Sequence, residues 1–245
     1  MHLTRESWTD ADAADTTLAV LPVGSTEQHG PHDPLGTDVL TAEAVAEAGA
    51  DRCADPVVVA PAIPVGIAEE HRRFSGTLWT SESTFRDYVR DVVGSLASHG
   101  WDRVVVVNGH GGNIAALKEV TARIVRHDDA YAVPFTWFDE VGEHTSDMGH
   151  AGPLETSLLR HTDAETVHED RLEAAAAEGA NRWGEWQGRV NLAVDSDEFT
   201  DNGVVGDPRE SSADLGEELL DRSADALCAL LDAVRNRDPG PRIDD

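Results

Sequence analysis

Three short segments of this chain hold histidines and carboxylates inside glycine-rich loops. The first, LPVGSTEQHGPHDPLGTD (21–38), offers Glu27, His29 and Asp38. Glu27 and His29 are two residues apart, so in an extended loop they project to the same side. Asp38 opens the next helix, where its simplest role is an N-cap; His32 and Asp33 read as solvated loop residues. The second segment, VVVVNGHGGN (104–113), puts His110 in a strand-to-helix turn among three glycines. Such glycines permit positive φ and close backbone approach, and they expose helix N-terminal amides suited to an oxyanion or phosphate. The third, HAGPLETS (150–157), places His150 before a helix and Glu155 in its first turns, where a carboxylate also complements the helix dipole. None of the three supplies a thiolate. Mixed histidine and carboxylate sets suit zinc, manganese or ferrous iron, and one shared carboxylate can bridge two ions roughly 3.5–4 Å apart.

The elements that must carry these loops alternate along the chain. Short apolar runs at 17–24, 56–65, 103–107 and 130–137 read as strands. Helical patterns cover 39–52, 82–98, 113–127, a segment starting near Pro153, and 211–235. In the second of these Phe85, Val89, Val92, Val93 and Leu96 fall at helical spacing, and Gly100 stops it. Strands alternating with helices predict a mostly parallel sheet covered by helices. In such sheets the loops at the carboxyl ends of the strands bind ligands. Residues 163–208, rich in Trp, Gly and acidic residues, give no clear pattern. No repeat or linker divides the chain, so 1–245 is expected to be one domain, with a frayed tail at 236–245.

Charge is the most unusual feature of the composition. Asp and Glu total 47 against 19 Lys and Arg, giving a net charge of −28, and Lys118 is the lone lysine. Such a field repels nucleic acid and anionic membrane, so neither is an expected partner. At about 1 M salt the Debye length falls to roughly 3 Å and the self-repulsion is screened. Acidic excess with lysine depletion therefore suggests a halophile's cytosol. No run reaches the roughly 18 apolar residues of a membrane span, and the N-terminus lacks a signal-peptide pattern; a cytoplasmic protein is expected. Cys53 and Cys228 are too few for a disulfide framework and read as buried helix residues.

Taken together, PVGSTEQHGPHDPLGTD, NGHGGN and HAGPLETS resemble, in that order, three motifs of the creatininase superfamily. EEHRRFSGT (69–77) and NGVVGDP (202–208) resemble two further ones. The resemblance spans about residues 20 to 215. It implies a three-layer α/β/α sandwich with a mostly parallel sheet, and a site for two divalent ions, Zn²⁺ and/or Fe²⁺ with Mn²⁺ as a further choice. By position, Glu27, Asp38 and His110 would hold one ion and His29 and Asp38 the other, with Asp38 bridging. His150 would be the catalytic acid/base, and Asn108, Gly111, Gly112, Asn113 and His71 would contact substrate. It further implies a homo-oligomer acting on a small molecule, as a hydrolase of carbon–nitrogen bonds other than ordinary peptide bonds.

Two positions depart from the family pattern. Creatinine amidohydrolases look like NGHYEN at the second motif, whose glutamate completes the second ion site; here that place is Gly112. Glu155 or water must then complete the site, giving Glu155 a catalytic as well as a ligand role. Open space is expected beside Gly112, admitting a larger, flatter substrate than creatinine. Ser75, where proline is common, bears on loop stiffness alone. The Gly-Gly form resembles archaeal deformylases acting on a formylamino-pyrimidine ribotide in riboflavin and deazaflavin synthesis. It also resembles peptidases that trim a redox-cofactor precursor. The deformylase is the leading expectation; a creatinine hydrolase, a precursor peptidase and a non-catalytic metal-binding or regulatory paralogue are the alternatives. A phosphorylated substrate needs local cations, for which Arg72, Arg73, Lys118 and Arg182 are candidates.

Overall fold

The computed structural model describes residues 1–237; of the tail expected to fray, 238–245 lie outside the described residues. Four strands, β1 (Leu18–Val23), β2 (Val58–Val59), β3 (Arg103–Asn108) and β4 (Tyr131–Thr136), form one parallel sheet in the order β2-β1-β3-β4. Helices α1 (Trp8–Asp12), α2 (Thr37–Arg52), α3 (Glu82–Ser98), α4 (Ile114–His127), α5 (Pro153–Thr162), α6 (Leu172–Glu178) and α7 (Ala213–Arg235) surround it. Ser81 and Ser212 cap α3 and α7, each accepting a hydrogen bond from a first-turn amide.

Alternate residues of the central strands feed two separate cores. Ala19, Leu21, Val104 and Val106 pack with Phe85, Val89 and Val93 of α3 and with Leu117 and Ile124 of α4. Leu18, Val20, Val105 and Val107 pack on the other face with Val45, Leu158, Leu219, Leu227 and Leu231 of α2, α5 and α7. Both faces are buried, which is why β1 and β3 read as unbroken apolar runs rather than alternating ones. The result is the three-layer α/β/α sandwich that the family resemblance implies, built on the helix-covered parallel sheet that the sequence pattern predicts.

Three expectations need correction. The strand expected over 56–65 is only Val58–Val59, with Ile63 bridging Val23. Pro56, Pro61 and Pro64 interrupt it, and each lacks the N–H a continuing ladder needs. The cysteines are not buried helix residues. Cys53 caps the C-terminus of α2, Cys228 lies in α7, and both are half-buried. The segment 163–208 contains α6 and a small hairpin of β5 (Trp186–Gln187) and β6 (Val190–Asn191), followed by a short 3-10 turn at Ser196–Glu198 and by Val205, which bridges His150 and Ala180. No described helix is long and apolar enough to cross a membrane.

Candidate metal centre

All three motif loops leave the carboxyl edge of the sheet or pack over it. Two glycines set the spacing. A Cβ on Gly24, just past β1, would sit 2.5 Å from Val39 N and 2.6 Å from Asp38 C, and one on Gly109, just past β3, would strike the Asp38 carbonyl. Only glycine at both places lets the N-terminus of α2 rest on the sheet edge. That contact turns Asp38 inward. Asp38 is the second residue of α2, behind Thr37, so it is not the N-cap; Gly36 is.

Asp38 is buried and touches both neighbouring histidines. His110 Nδ1 lies 3.2 Å from Asp38 Oδ2 and 3.2 Å from Glu27 Oε2. His29 Nε2 lies 3.2 Å from Asp38 Oδ1 and 3.6 Å from Glu155 Oε1. Two ligand atoms each about 2.1 Å from one tetrahedral ion are about 3.4 Å apart, so these spacings are those of shared ion ligands. Glu27, Asp38 and His110 form one group able to hold an ion. His29, His150 and Glu155 form a second, and Glu27, His71 and His150 a third.

Hydrogen bonding separates this cluster from an ordinary ion-pair network. Both oxygens of Glu27, Nε2 of His29 and Oδ2 of Asp38 are buried without a hydrogen-bond partner. Buried polar atoms are rarely left so, and here each lies 3.2–3.4 Å from another potential ligand atom, close enough to share an ion. The outer nitrogens are committed. His110 Nε2–H donates to the Ile67 carbonyl at 2.6 Å, and His29 Nδ1–H donates to the Glu27 carbonyl at 3.2 Å. Each ring thereby aims its other lone pair inward, the usual arrangement of metal-ligating histidine. The residues fit divalent ions.

Electrostatics agrees. Burial raises Glu27 to about 7, against the pull of His110. Burial disfavours charge on His29 and His110, but Asp38 and Glu155 outweigh it at His29, and Glu27 and Asp38 at His110, so both are held well above the ordinary value. Burial also opposes charge on Asp38, yet His29 and His110 hold it below the usual carboxylate range. Such a site collects positive charge, as protons or as a cation, and cation binding would release the protons.

Glu155 is buried and turned inward. Its Oε2 accepts the Ala151 amide at 2.6 Å, while Oε1 faces His29. His150 precedes it, joined to Val205 by backbone hydrogen bonds. His150 Nε2 lies 2.7 Å from the Gln28 carbonyl and 2.9 Å from Gln28 Nε2. The Gln28 amide has two protons, and His71 Nδ1 at 2.9 Å and the Gly203 carbonyl at 3.1 Å accept them. His150 Nε2–H therefore donates to the Gln28 carbonyl, leaving Nδ1 as a free lone pair 3.9 Å from Glu27 Oε1. Burial, with His29 adding, lowers His150 to about 4, so its ring is neutral at neutral pH.

A cavity of about 690 Å³ opens over the cluster, lined by Glu27, Asp38, His110, His150 and Glu155 among others. Gly111, Gly112 and His71 also line it, whereas Asn108 and Asn113 do not. These two asparagines are buried and spend their amides on the His110 and Gly24 backbones and on each other, so they brace the loop rather than contact substrate. The space expected beside Gly112 is absent. A Cβ there would meet the Ile67 carbonyl, lie 2.5 Å from His110 Nε2 and 3.1 Å from Glu70 Oε1. His32 and Asp33 are likewise not solvated. Thr156 Oγ1 donates to Asp33 Oδ2 at 2.6 Å and lies 3.1 Å from His32 Nε2, all of them buried. Of the cations proposed for a phosphate, Arg72 and Arg73 face Asp195, Lys118 is exposed on α4, and Arg182 alone lines the cavity.

Sequence reasoning missed Glu70, Gln28 and Trp183. Glu70 lines the cavity with its pKa raised by burial. Trp183 packs edge-on to His71 and His150, with ring centroids 5.6 and 5.9 Å away. Glu70 and Gln28 sit inside motifs already quoted and were findable beside His71 and His29; Trp183 lies where no pattern was legible.

A parallel α/β sandwich with a histidine–carboxylate cluster at its carboxyl edge has the layout of a metallohydrolase. The family model described as creatininase, creatinine amidohydrolase, matches residues 3–231, and the chain belongs to that family. Its members hydrolyse amide and related carbon–nitrogen bonds. A mycofactocin precursor peptide peptidase of Mycobacterium ulcerans is 35% identical over 229 residues, covering 91% of this chain and 86% of that protein. The creatinine amidohydrolase of Pseudomonas putida is 29% identical over 194 residues, covering 70% and 74%. A solved creatininase structure described by its manganese superposes with a TM-score of 0.77 at 23% identity, covering 96% of this chain and 99% of that one, and shares the fold.

Proposed function

We propose that this protein is a metal-dependent amide hydrolase acting on a short peptide, with Glu27, Asp38 and His110 holding one divalent ion and His29, Asp38 and Glu155 a second. The observation that carries this reading is the set of buried, unpartnered ligand atoms on Glu27, His29 and Asp38. Zinc, manganese and ferrous iron all suit the donor set. Bound there, such ions would supply Lewis acidity, bringing the pKa of water towards 7 and polarising the scissile carbonyl. The protein does the rest. His150 Nδ1 is a neutral base facing the cavity, able to take a proton from the attacking water and return it to the leaving nitrogen. Gln28 fixes that ring, and Trp183 shields it from solvent. Amine departure is unfavourable unless the nitrogen is protonated, so a neutral His150 beside the cluster is what the reaction needs.

The peptide reading rests on the mycobacterial relative, which matches most of both chains. Ribotide deformylation is the second reading. Arg182 in the cavity lining favours it as a partner for phosphate, but the relatives above carry other activities in their names. Metal-loaded protein in molar salt should be given short peptides, creatinine and the formylamino-pyrimidine ribotide in parallel. Peptide hydrolysis is the expected result. Ribotide or creatinine turnover without peptide hydrolysis would replace the substrate and leave the hydrolase standing; no turnover with intact metal content would favour a binding paralogue. We also propose that the chain is cytoplasmic and forms a homo-oligomer, consistent with the exposed apolar side chains of Leu78, Trp79 and Tyr88; light scattering tests the oligomer.

A further inference from the structure

The cavity over the cluster is lined by the carboxylates of Glu27, Asp38, Glu70, Asp147 and Glu155, and by one cationic side chain other than histidine, Arg182. In a protein with 47 acidic residues, most arginines near a carboxylate are paired with it. Arg182 is exposed, and among the described residues it has no ion pair or hydrogen-bond partner. Its chain neighbour Trp183 anchors it, packing against His71, His150 and Phe199. Arg182 thus lines the same cavity as the proposed proton carrier, next in sequence to an anchored side chain, with its planar fork uncommitted. Such a fork matches a carboxylate in two-point contact.

We propose that Arg182 binds the free C-terminal carboxylate of the peptide, making it a specificity-determining residue. This rests on the peptidase reading above. The carboxylate would sit beyond the scissile amide, on the leaving-amine side near His150, so the enzyme would release a short C-terminal fragment. The experiment separates binding from turnover. Binding of the dipeptide Ala–Ala and of its C-terminal amide is followed by Trp fluorescence on metal-loaded wild type and Arg182→Gln. Hydrolysis of a longer peptide is measured as free acid and as amide. The acid should bind wild type about tenfold more tightly than the amide and be hydrolysed with a correspondingly lower KM, and Arg182→Gln should abolish both differences. Equal acid and amide binding by wild type overturns the inference, as does a preference surviving in Arg182→Gln. Arg182-dependent inhibition by inorganic phosphate without acid preference would assign the anion to a phosphoryl group instead. Acid-selective binding without hydrolysis of either peptide would keep the inference and sink the peptidase reading.

A second inference rests on separate atoms. Cys53 Sγ lies 2.7 Å from Cys228 Sγ, joining the C-terminus of α2 to α7. We infer that these thiols form a reversible disulfide when exposed to a low-molecular-weight disulfide. Cys228 sulfur attacks the reagent, forming a mixed disulfide and releasing one thiolate; Cys53 sulfur then displaces the second. The two protein thiols lose two electrons, and their protons go to the two departing thiols. Burial and the neighbouring Cys228 push Cys53 up to about 12, which disfavours it as the first attacking thiolate, and its 2.7 Å separation from Cys228 Sγ makes the second step intramolecular. Native protein treated with oxidised glutathione should lose two hydrogens in intact mass, resist thiol labelling at both positions, and melt about 5–10 °C higher. Cys228→Ser should show none of these changes. A retained glutathione adduct, or an unchanged mass with both thiols still labelled, would overturn the inference.

Discussion

Replacing Gly24 by alanine should damage the metal centre without touching a ligand. The new Cβ would fall 2.5 Å from Val39 N, 2.6 Å from Asp38 C and 2.8 Å from Asp38 O. Comfortable contact needs about 3.5 Å, so the peptide joining Asp38 to Val39 must retreat by about 1 Å. Gly24 is not in the left-handed region, so backbone strain is not the issue and the effect is steric. Metal–ligand distances tolerate only about ±0.2 Å. Asp38 serves both proposed ions, so both should bind more weakly. A misplacement of about 1 Å can cost about 10²-fold in turnover, while overpacking costs about 1–3 kcal/mol in stability. Gly94→Ala is the matched control. It lies in α3 with open space around its Cβ, and removing a helix-interior glycine should stabilise by about 0.5–1 kcal/mol with metal content unchanged. Metal analysis after dialysis, thermal melts and turnover are read on both. Wild-type metal content and turnover in Gly24→Ala would show that the position of Asp38 does not govern the site.

Glu155→Gln should empty mainly the His29 side and cut turnover by orders of magnitude; a variant that loses about 0.3–1 kcal/mol of stability and nothing else would mark Glu155 as a dipole residue only. Gly112→Glu should strip metal rather than merely crowd substrate, because its Cβ lies against the Ile67 carbonyl and His110; retained metal measured in the purified variant would contradict this packing. Asp33 is raised to about 7 by burial, against the Thr156 hydrogen bond, so the folded state holds its proton where the unfolded chain has lost it. The Asp33 contribution to stability should therefore fall as pH rises from about 4 to about 7 and then level, and Asp33→Asn should make the overall fall shallower, leaving the part due to Glu27, and gain about 1–3 kcal/mol at pH 8 in urea melts; an unchanged pH profile would refute it. Stability should also climb from 0.1 to 2 M potassium chloride by screening of the acidic surface, and a flat or falling melting temperature would remove the halophile argument.

The residue pattern alone determined the sheet, most helices and the cast of the site. β1 and β3 could be read because a strand buried on both faces must be apolar throughout, and α3 because its buried face repeats at helical spacing. Glu27, His29, Asp38 and His110 were readable because they sit in glycine-bound loops at strand ends, where a parallel sheet places ligands. Tertiary structure decided what spacing along a chain cannot encode. Asp38 faces inward because two glycines from different strands let α2 settle on the sheet edge. Asn108 and Asn113 turn to the backbone because folding brings the carbonyls of His110 and Gly24 and the amides of His110 and Ile67 within their reach. The space foreseen at Gly112 is filled by Ile67, His110 and Glu70, a contact between segments some forty residues apart in sequence. The pairing of Cys53 with Cys228 depends on α2 and α7 lying side by side. Arg182 and Trp183 come from the segment whose composition showed no period, since a loop folded over a cavity owes its path to the surfaces it covers and not to its own repeat.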